Sequence, residues 1–168
     1  MILIGIGANL PSPRFGDPVA TCEAAVAALR AAGVVPLRVS RWYRSAPVPV
    51  SDQPWFVNGL ALVESDLAPE DLLATLHGIE RDLGRVRQVR NEARVIDLDL
   101  LAHGARISRP GEVPVLPHPR LAERAFVLLP LVEIAPDWRH PVSGLDARTL
   151  ADRLPADQVA EPIGPAAG

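Results

Sequence analysis

The segment from Glu80 to Leu101, ERDLGRVRQVRNEARVIDLDLL, places five arginines (Arg81, Arg85, Arg87, Arg90 and Arg94) ahead of two aspartates, Asp97 and Asp99, set in an apolar run. Its second part, Arg94 to Leu101, alternates as a strand does. Ile96, Leu98 and Leu100 fall on one side, and Val95, Asp97, Asp99 and Leu101 on the other. Carboxylates at i and i+2 project from one face, roughly 7 Å apart along the backbone. At that spacing they repel unless a cation lies between them. Hard oxygen ligands of this kind suit Mg²⁺, which is commonly held by one or two carboxylates plus substrate phosphates. The upstream guanidinium groups are planar forks that match those phosphates. Phosphoryl or pyrophosphoryl transfer is the chemistry this pattern can do. The plainer alternative is a half-exposed strand with two solvated aspartates that follows a solvated helix face.

Composition narrows the choice. A net charge of −3 argues against a general nucleic-acid binder. All 17 basic residues are arginine, which excludes a P-loop lysine and a Schiff-base lysine. Phosphate chemistry here must use arginine, backbone N–H groups and metal. Cys22 is the only cysteine, so no disulfide forms within the chain and no cysteine-based zinc site is possible. In its alanine-rich surroundings it reads as a buried structural thiol. No apolar run approaches the ~20 residues needed to span a bilayer, and the start lacks a basic n-region. A cytoplasmic protein without membrane contact is expected. At 168 residues the chain is expected to form one domain over residues 1–168, with a tail from about Pro155 that frays.

The elements that must carry these residues follow from local signals. Ile2 to Ile6 is a first strand closed by Gly7-Ala8-Asn9-Leu10. Gly5 and Gly7 form G-x-G, but no third glycine follows and Pro11 and Pro13 prevent a helix from opening there, so a Rossmann reading is rejected. Asp17 and Pro18 cap a helix over Val19 to Ala32 that Gly33 stops. Val34 to Tyr43 has strand character. The stretch from Ser45 to Pro54 carries three prolines; a loop this long and stiff is either functional or a plain connector. Trp55 to Glu64 is a strong strand, with Phe56, Asn58, Leu60 and Leu62 on one face. Asn58 among apolar neighbours is a core amide bonded to backbone or a reader of a flat polar ligand beside Phe56. Pro69 opens a second helix that ends at Gly84, and Arg85 to Glu92 is a polar loop expected to move. Further on, Arg106 to Ser108 is expected as a short strand. Leu121 to Ile134 is expected as a helix interrupted at Pro130, and Leu145 to Leu154 as a last short helix. The order β-α-β-β-α-β predicts an α+β, ferredoxin-like sandwich: a mainly antiparallel sheet with helices on one face and a C-terminal extension.

With these residues in place, the sequence resembles the 6-hydroxymethyl-7,8-dihydropterin pyrophosphokinases of folate biosynthesis. The resemblance runs from Ile4 to about Pro136. It rests on Gly7-Ala8-Asn9-Leu10, Tyr43-Arg44-Ser45-Ala46-Pro47, Asp52-Gln53-Pro54 with Phe56 and Asn58, and Glu80 with Gly84-Arg85-Val86-Arg87. Arg94 to Leu100, Pro117-His118, Arg124-Ala125-Phe126 and Pro130 to Pro136 complete it. The combination is specific, although no single piece is. The resemblance implies transfer of pyrophosphate from ATP to the pterin hydroxymethyl group, with AMP released. It implies that Asp97 and Asp99 hold two Mg²⁺, and that Arg85 and Arg94 stabilise the transferred group. His77, Glu80, Arg87, Leu100, His118 and Arg124 would bind ATP. Ser45, Ala46, Val48, Phe56, Asn58 and Phe126 would bind the pterin, with the two phenylalanines sandwiching its ring. A monomer acting on small molecules is expected.

Two departures stand out. Where many members carry Trp-Gly-Pro before the loop arginine, this chain has Asn91-Glu92-Ala93. Where members often have Arg-x-Thr before Pro-His, it has Val113-Pro114-Val115. Neither removes an expected metal ligand. Two other classes stay open at this point: a non-catalytic ligand-binding domain on the same framework, and a Mg²⁺-dependent phosphohydrolase using the same aspartates.

Overall fold

A computed structural model describes residues 1–47, 51–84 and 95–164. Its centre is β1 (Ile2–Ala8), flanked by β4 (Phe56–Glu64) and β5 (Asp97–His103), and both pairings are antiparallel. Next to β4 lie β2 (Val35–Val39), beside its C-terminal half, and β3 (Tyr43–Ser45), beside its N-terminal end. With β6 (Ala160–Pro162), the sheet order is β5-β1-β4-β3-β6, with β2 also on β4. Among the described residues every strand pairing is antiparallel. The protein is therefore α+β with a mostly antiparallel sheet.

Alternation along β1 builds two different surfaces. Ile2, Ile4, Ile6 and Ala8 face helices α1 (Pro18–Ala31) and α2 (Pro69–Asp82), where they pack with Leu29, Leu72 and Leu76, all fully buried. Both helices start as the sequence signals predict. Asp17 caps α1 by accepting the Ala20 N–H at 2.9 Å, and Pro69 occupies the first turn of α2. Gly84 ends α2 with φ +100, a conformation that costs a residue with a Cβ. Cys22 lies in this core, and burial, with Glu23 adding to it, pushes its thiol up to about 12.

The opposite face also carries helices, which the expectation of helices on one face did not include. Leu3, Leu60 and Leu101 pack with Leu128 and Leu131 of α3 (Ala125–Ile134), and α4 (Ala147–Asp152) adds Ala147 and Leu150. Four further expectations are corrected. The single strand over Val34 to Tyr43 is two strands. Pro36 has no N–H for the ladder, a register shift follows it, and the Ser40 hydroxyl takes the Leu60 N–H at 2.9 Å. Arg106 to Ser108 is not a strand; Ser108 instead bonds Leu116 and Pro114 in a proline-rich stretch with few donors. The interruption after Leu121 falls at Arg124, whose extended backbone separates a 3₁₀ turn (Leu121–Glu123) from α3. Pro130 stays inside α3, which is held by its buried apolar face. The segment beyond Pro155, expected to fray, supplies β6 (Ala160–Pro162), paired with β3.

Candidate active site

On the face toward α3, one cross-strand row runs Asp97, Gly7, Asn58, Tyr43, and the adjacent row runs Asp99, Gly5, Leu60. Glycine at positions 5 and 7 leaves the centre of this face without side chains. A Cβ at Gly7 would lie 2.8 Å from Asn58 Oδ1, and one at Gly5 would lie 3.3 Å from Leu101 Cδ1. The resulting cleft has a volume of about 180 Å³. Asp97 and Asp99 line one end of it, half-buried, and Asn58 and Phe56 line it from β4. This confirms the alternation read in the sequence for β5: Leu98 and Leu100 go into the α1–α2 core, while Asp97, Asp99 and Leu101 face the cleft.

The proline loop forms a wall. Ser45, Ala46, Pro47, Ser51 and Gln53 all line the cleft. Asn58 Nδ2 donates to Ser45 Oγ at 2.6 Å, so this buried amide is partnered and oriented. Asn9 Nδ2 donates to Gln53 Oε1 and to the Pro54 carbonyl, both at 3.1 Å, and so ties the loop after β1 to the proline loop. Glu133 on α3 fixes the start of β3. It accepts from the Tyr43 hydroxyl at 2.7 Å and from the Arg41 N–H at 2.8 Å, and pairs with Arg41 Nε at 3.2 Å. Burial raises the Glu133 carboxyl, but these hydrogen bonds outweigh it and hold the group below the usual carboxylate range. The Tyr43 phenol is pushed up by burial and by its bond to Glu133.

The remaining wall is cationic. His118, Arg120 and Arg124 line the cleft, as does Phe126 at the start of α3. The His118 N–H donates to the Leu101 carbonyl at 2.8 Å, which docks the Pro117-His118 stretch on β5. His118 Nδ1 accepts the Arg120 N–H at 3.1 Å, so the neutral ring carries its proton on Nε2. Burial lowers the His118 pKa, and Arg124 and Arg120 add to this against the pull of Asp97. Burial and then Arg120 lower that of Arg124, opposed by Asp99 and Asp97. The Arg124 guanidinium lies over Phe126, 5.3 Å from the ring centroid. Two half-buried carboxylates facing one cleft, opposite arginines, suit a divalent cation that takes its other ligands from phosphates and water. Among the described residues no group of three or more candidate ligands gathers to hold a metal alone.

The family model for 7,8-dihydro-6-hydroxymethylpterin-pyrophosphokinase (HPPK) matches residues 3–136. The chain belongs to this family. It is 40% identical over 159 residues to the 2-amino-4-hydroxy-6-hydroxymethyldihydropteridine pyrophosphokinase of Pseudomonas aeruginosa, covering 92% of this chain and 90% of that one. The protein of the same description from Methylorubrum extorquens is 44% identical over 136 residues, covering 80% and 82%. A folic acid synthesis protein of Pneumocystis carinii is 36% identical over 164 residues; the match covers 98% of this chain and 21% of that longer protein.

Within this HPPK-family chain the expected residues divide into three groups. Ser45, Ala46, Phe56, Asn58, Asp97, Asp99, His118, Arg124 and Phe126 meet at one cleft. His77, Glu80 and Leu100 do not line it. Leu100 is in the α1–α2 core, His77 is half-buried on α2, and Glu80 is buried with its Oε2 accepting the Leu98 N–H at 2.9 Å. Glu80 thus bonds the strand between the two aspartates from behind. Val48, Arg85, Arg87 and Arg94, with the polar loop expected to move, lie outside the described residues. Sequence reasoning missed Gly5, Gly7, Gln53 and Arg120 as lining residues. For the glycines a signal existed: in Ile2-Leu3-Ile4-Gly5-Ile6-Gly7 the isoleucines alternate with residues that shrink toward one end.

Proposed function

We propose that this protein transfers pyrophosphate from ATP to the hydroxymethyl group of 6-hydroxymethyl-7,8-dihydropterin in folate biosynthesis. The observation that carries this reading is the row Asp97, Gly7, Asn58. Two strand spacings separate the aspartate from the amide, about 10 Å, and the position between them has no side chain. A flat bicyclic ring laid there has its polar edge at Asn58 and its hydroxymethyl arm toward Asp97 and Asp99. Phe56 and Phe126 offer apolar surface to the two ring faces, and Ser45 and Ala46 offer backbone groups to its edge.

Asp97 and Asp99 fit Mg²⁺, expected as two ions, which supplies neutralisation of phosphate charge and a Lewis acid when bound. His118 and Arg124 hold ATP phosphates from the opposite wall, as neutral donor and cation. Arg87 adds a contact, and Arg85 and Arg94 stabilise charge on the transferred group. His77, Glu80 and Leu100, for which the resemblance implies ATP contacts, are not among the cleft's lining residues, and Glu80 instead supports β5 through the Leu98 N–H. The hydroxymethyl oxygen attacks the β-phosphorus, the bond from that phosphorus to the α–β bridging oxygen breaks, and AMP leaves as the hydroxyl proton is lost. Positioning and electrostatics supply the rate, since no covalent nucleophile is needed. The framework is ferredoxin-like: with β2 and β3 counted as one interrupted strand, the sheet order becomes fourth, first, third, second. A single domain, a cytoplasmic location and a monomer complete the reading; among the described residues no helix is long and apolar enough to cross a membrane.

The test is AMP release with pterin, ATP and Mg²⁺, each omitted in turn. AMP is expected only when all three are present. Phosphate release without pterin would point to a hydrolase, and nucleotide binding without AMP to a binding domain; either sinks the proposal.

A further inference from the structure

The family match ends at residue 136, yet a later segment contacts both walls of the cleft. Helix α3 starts at Ala125 with no side-chain cap from its own N-terminal neighbour Arg124. A helix start leaves N–H groups without intrahelical partners, and they need acceptors. Gln158 provides one from 33 residues away: its Oε1 accepts the Ala125 N–H at 2.7 Å, and its Nε2 donates to the Glu123 carbonyl at 2.6 Å. One amide therefore brackets Arg124 on both sides and fixes the turn that presents Arg124 and Phe126 to the cleft. Two residues later the same segment becomes β6. Ala160 pairs with Ser45, Glu161 pairs with Arg44 in the ladder and by a 3.2 Å ion pair, and the Ile163 N–H donates to the Trp42 carbonyl at 2.8 Å. Ser45 is the residue that orients Asn58.

We propose that Gln158 to Ile163 is a strap that sets the spacing between the two substrate-facing walls, with Gln158 as its positioning residue. The proposal rests on the functional reading above for its substrates. The strap adds no group to the cleft, because Gln158 does not line it. It acts by holding β3 and the start of α3 at once. A segment that served stability alone would change how much protein folds and leave substrate affinity untouched; a strap changes affinity in folded enzyme.

The test uses the full chain and three variants. Gln158→Ala should raise KM for both substrates about five- to tenfold, the scale of one net hydrogen bond, with kcat per folded molecule nearly unchanged. Gln158→Glu keeps the acceptor for the Ala125 N–H at a helix N-terminus but loses the donor to the Glu123 carbonyl; its KM values should lie between those of wild type and Gln158→Ala. Removal of residues 155–168 should raise KM further. Hydrogen exchange gives a readout that needs no catalysis: the Ala125 amide should exchange faster in Gln158→Ala. Wild-type KM values in Gln158→Ala, or a fall in melting temperature alone, overturn the strap. If the wild-type chain releases no AMP, the functional reading fails while exchange at Ala125 still decides the strap.

Discussion

At the scale of single residues, the proposed function divides the cleft into groups that act through charge at the reacting centre and groups that bind charge at a distance. Asp97 and Asp99 face the same space as Arg120 and Arg124 and already act on Arg124 through charge; in the proposed function the phosphates lie between the two walls. Arg120 is exposed, lines the cleft, and makes no ion pair with a described residue. It follows His118 by two positions. A contrast between the two walls is expected. Asp97→Asn keeps shape and removes one negative charge, and should lower kcat at least a hundredfold, as loss of a group that acts in the transition state does. Arg120→Ala should raise KM for ATP about three- to tenfold, the scale of one exposed charge-assisted contact, and leave kcat within about twofold of wild type. Steady-state kinetics in ATP on both variants, with circular dichroism to confirm folding, distinguishes them. Equal loss of kcat in both would reject the division.

At the scale of elements, Glu133 shows how α3 is tied to the sheet edge that begins the proline loop. Its carboxylate collects the Tyr43 hydroxyl, the Arg41 N–H and the Arg41 guanidinium. Its pKa lies below the ordinary value in the folded state. The unfolded chain therefore binds the proton more readily, and stability from this group is full above about pH 4.3 and is lost as pH falls through the lower folded value. Glu133→Gln should cost about 2 kcal/mol at pH 7, the scale of hydrogen bonds to a charged group. The gap from wild type should close below about pH 4, as measured by urea titration at each pH. A gap constant down to pH 3 would show that packing, not the charge, is what Glu133 contributes. The elements themselves were legible to different degrees. Helices α1 and α2 were readable to within a residue or two because their caps and stops are local: Asp17 and Pro18, Pro69, Gly84. The two aspartates' face was readable because a strand has a period of two. The split of β2 from β3 was not, because it depends on the Ser40 hydroxyl meeting Leu60 across the sheet. The same holds for β6, whose three residues carry no strand pattern and pair only because β3 offers an edge. The positions of α3 and α4 across the sheet were also hidden: periodicity gives an apolar face, not the surface that face will meet.

At the scale of the whole molecule, the sheet separates two cores with different duties. The α1–α2 core is closed, and the α3–α4 core stops short of the glycine-floored end of β1, where the cleft opens. The cleft draws its walls from β1, β3, β4 and β5, which the sheet's ladders join, and from the chain around His118 to Phe126. A bound nucleotide bridged to Asp97 and Asp99 would tie these segments together in the folded state alone and so stabilise the fold by mass action. At a hundred times its dissociation constant, a ligand of this kind adds about 2.7 kcal/mol. For a chain of this length that corresponds to a rise in melting temperature of roughly 5–10 °C. A nonhydrolysable ATP analogue with Mg²⁺ should give such a rise in scanning fluorimetry. Chelation with EDTA should remove most of it, since the two aspartates would then face the phosphates with no cation between like charges. Asp99→Asn should show a reduced rise with Mg²⁺ and little further change with EDTA. A full rise that survives EDTA in the wild-type protein would mean that the arginine wall binds nucleotide unaided, and the role assigned to the aspartate pair would have to be given up.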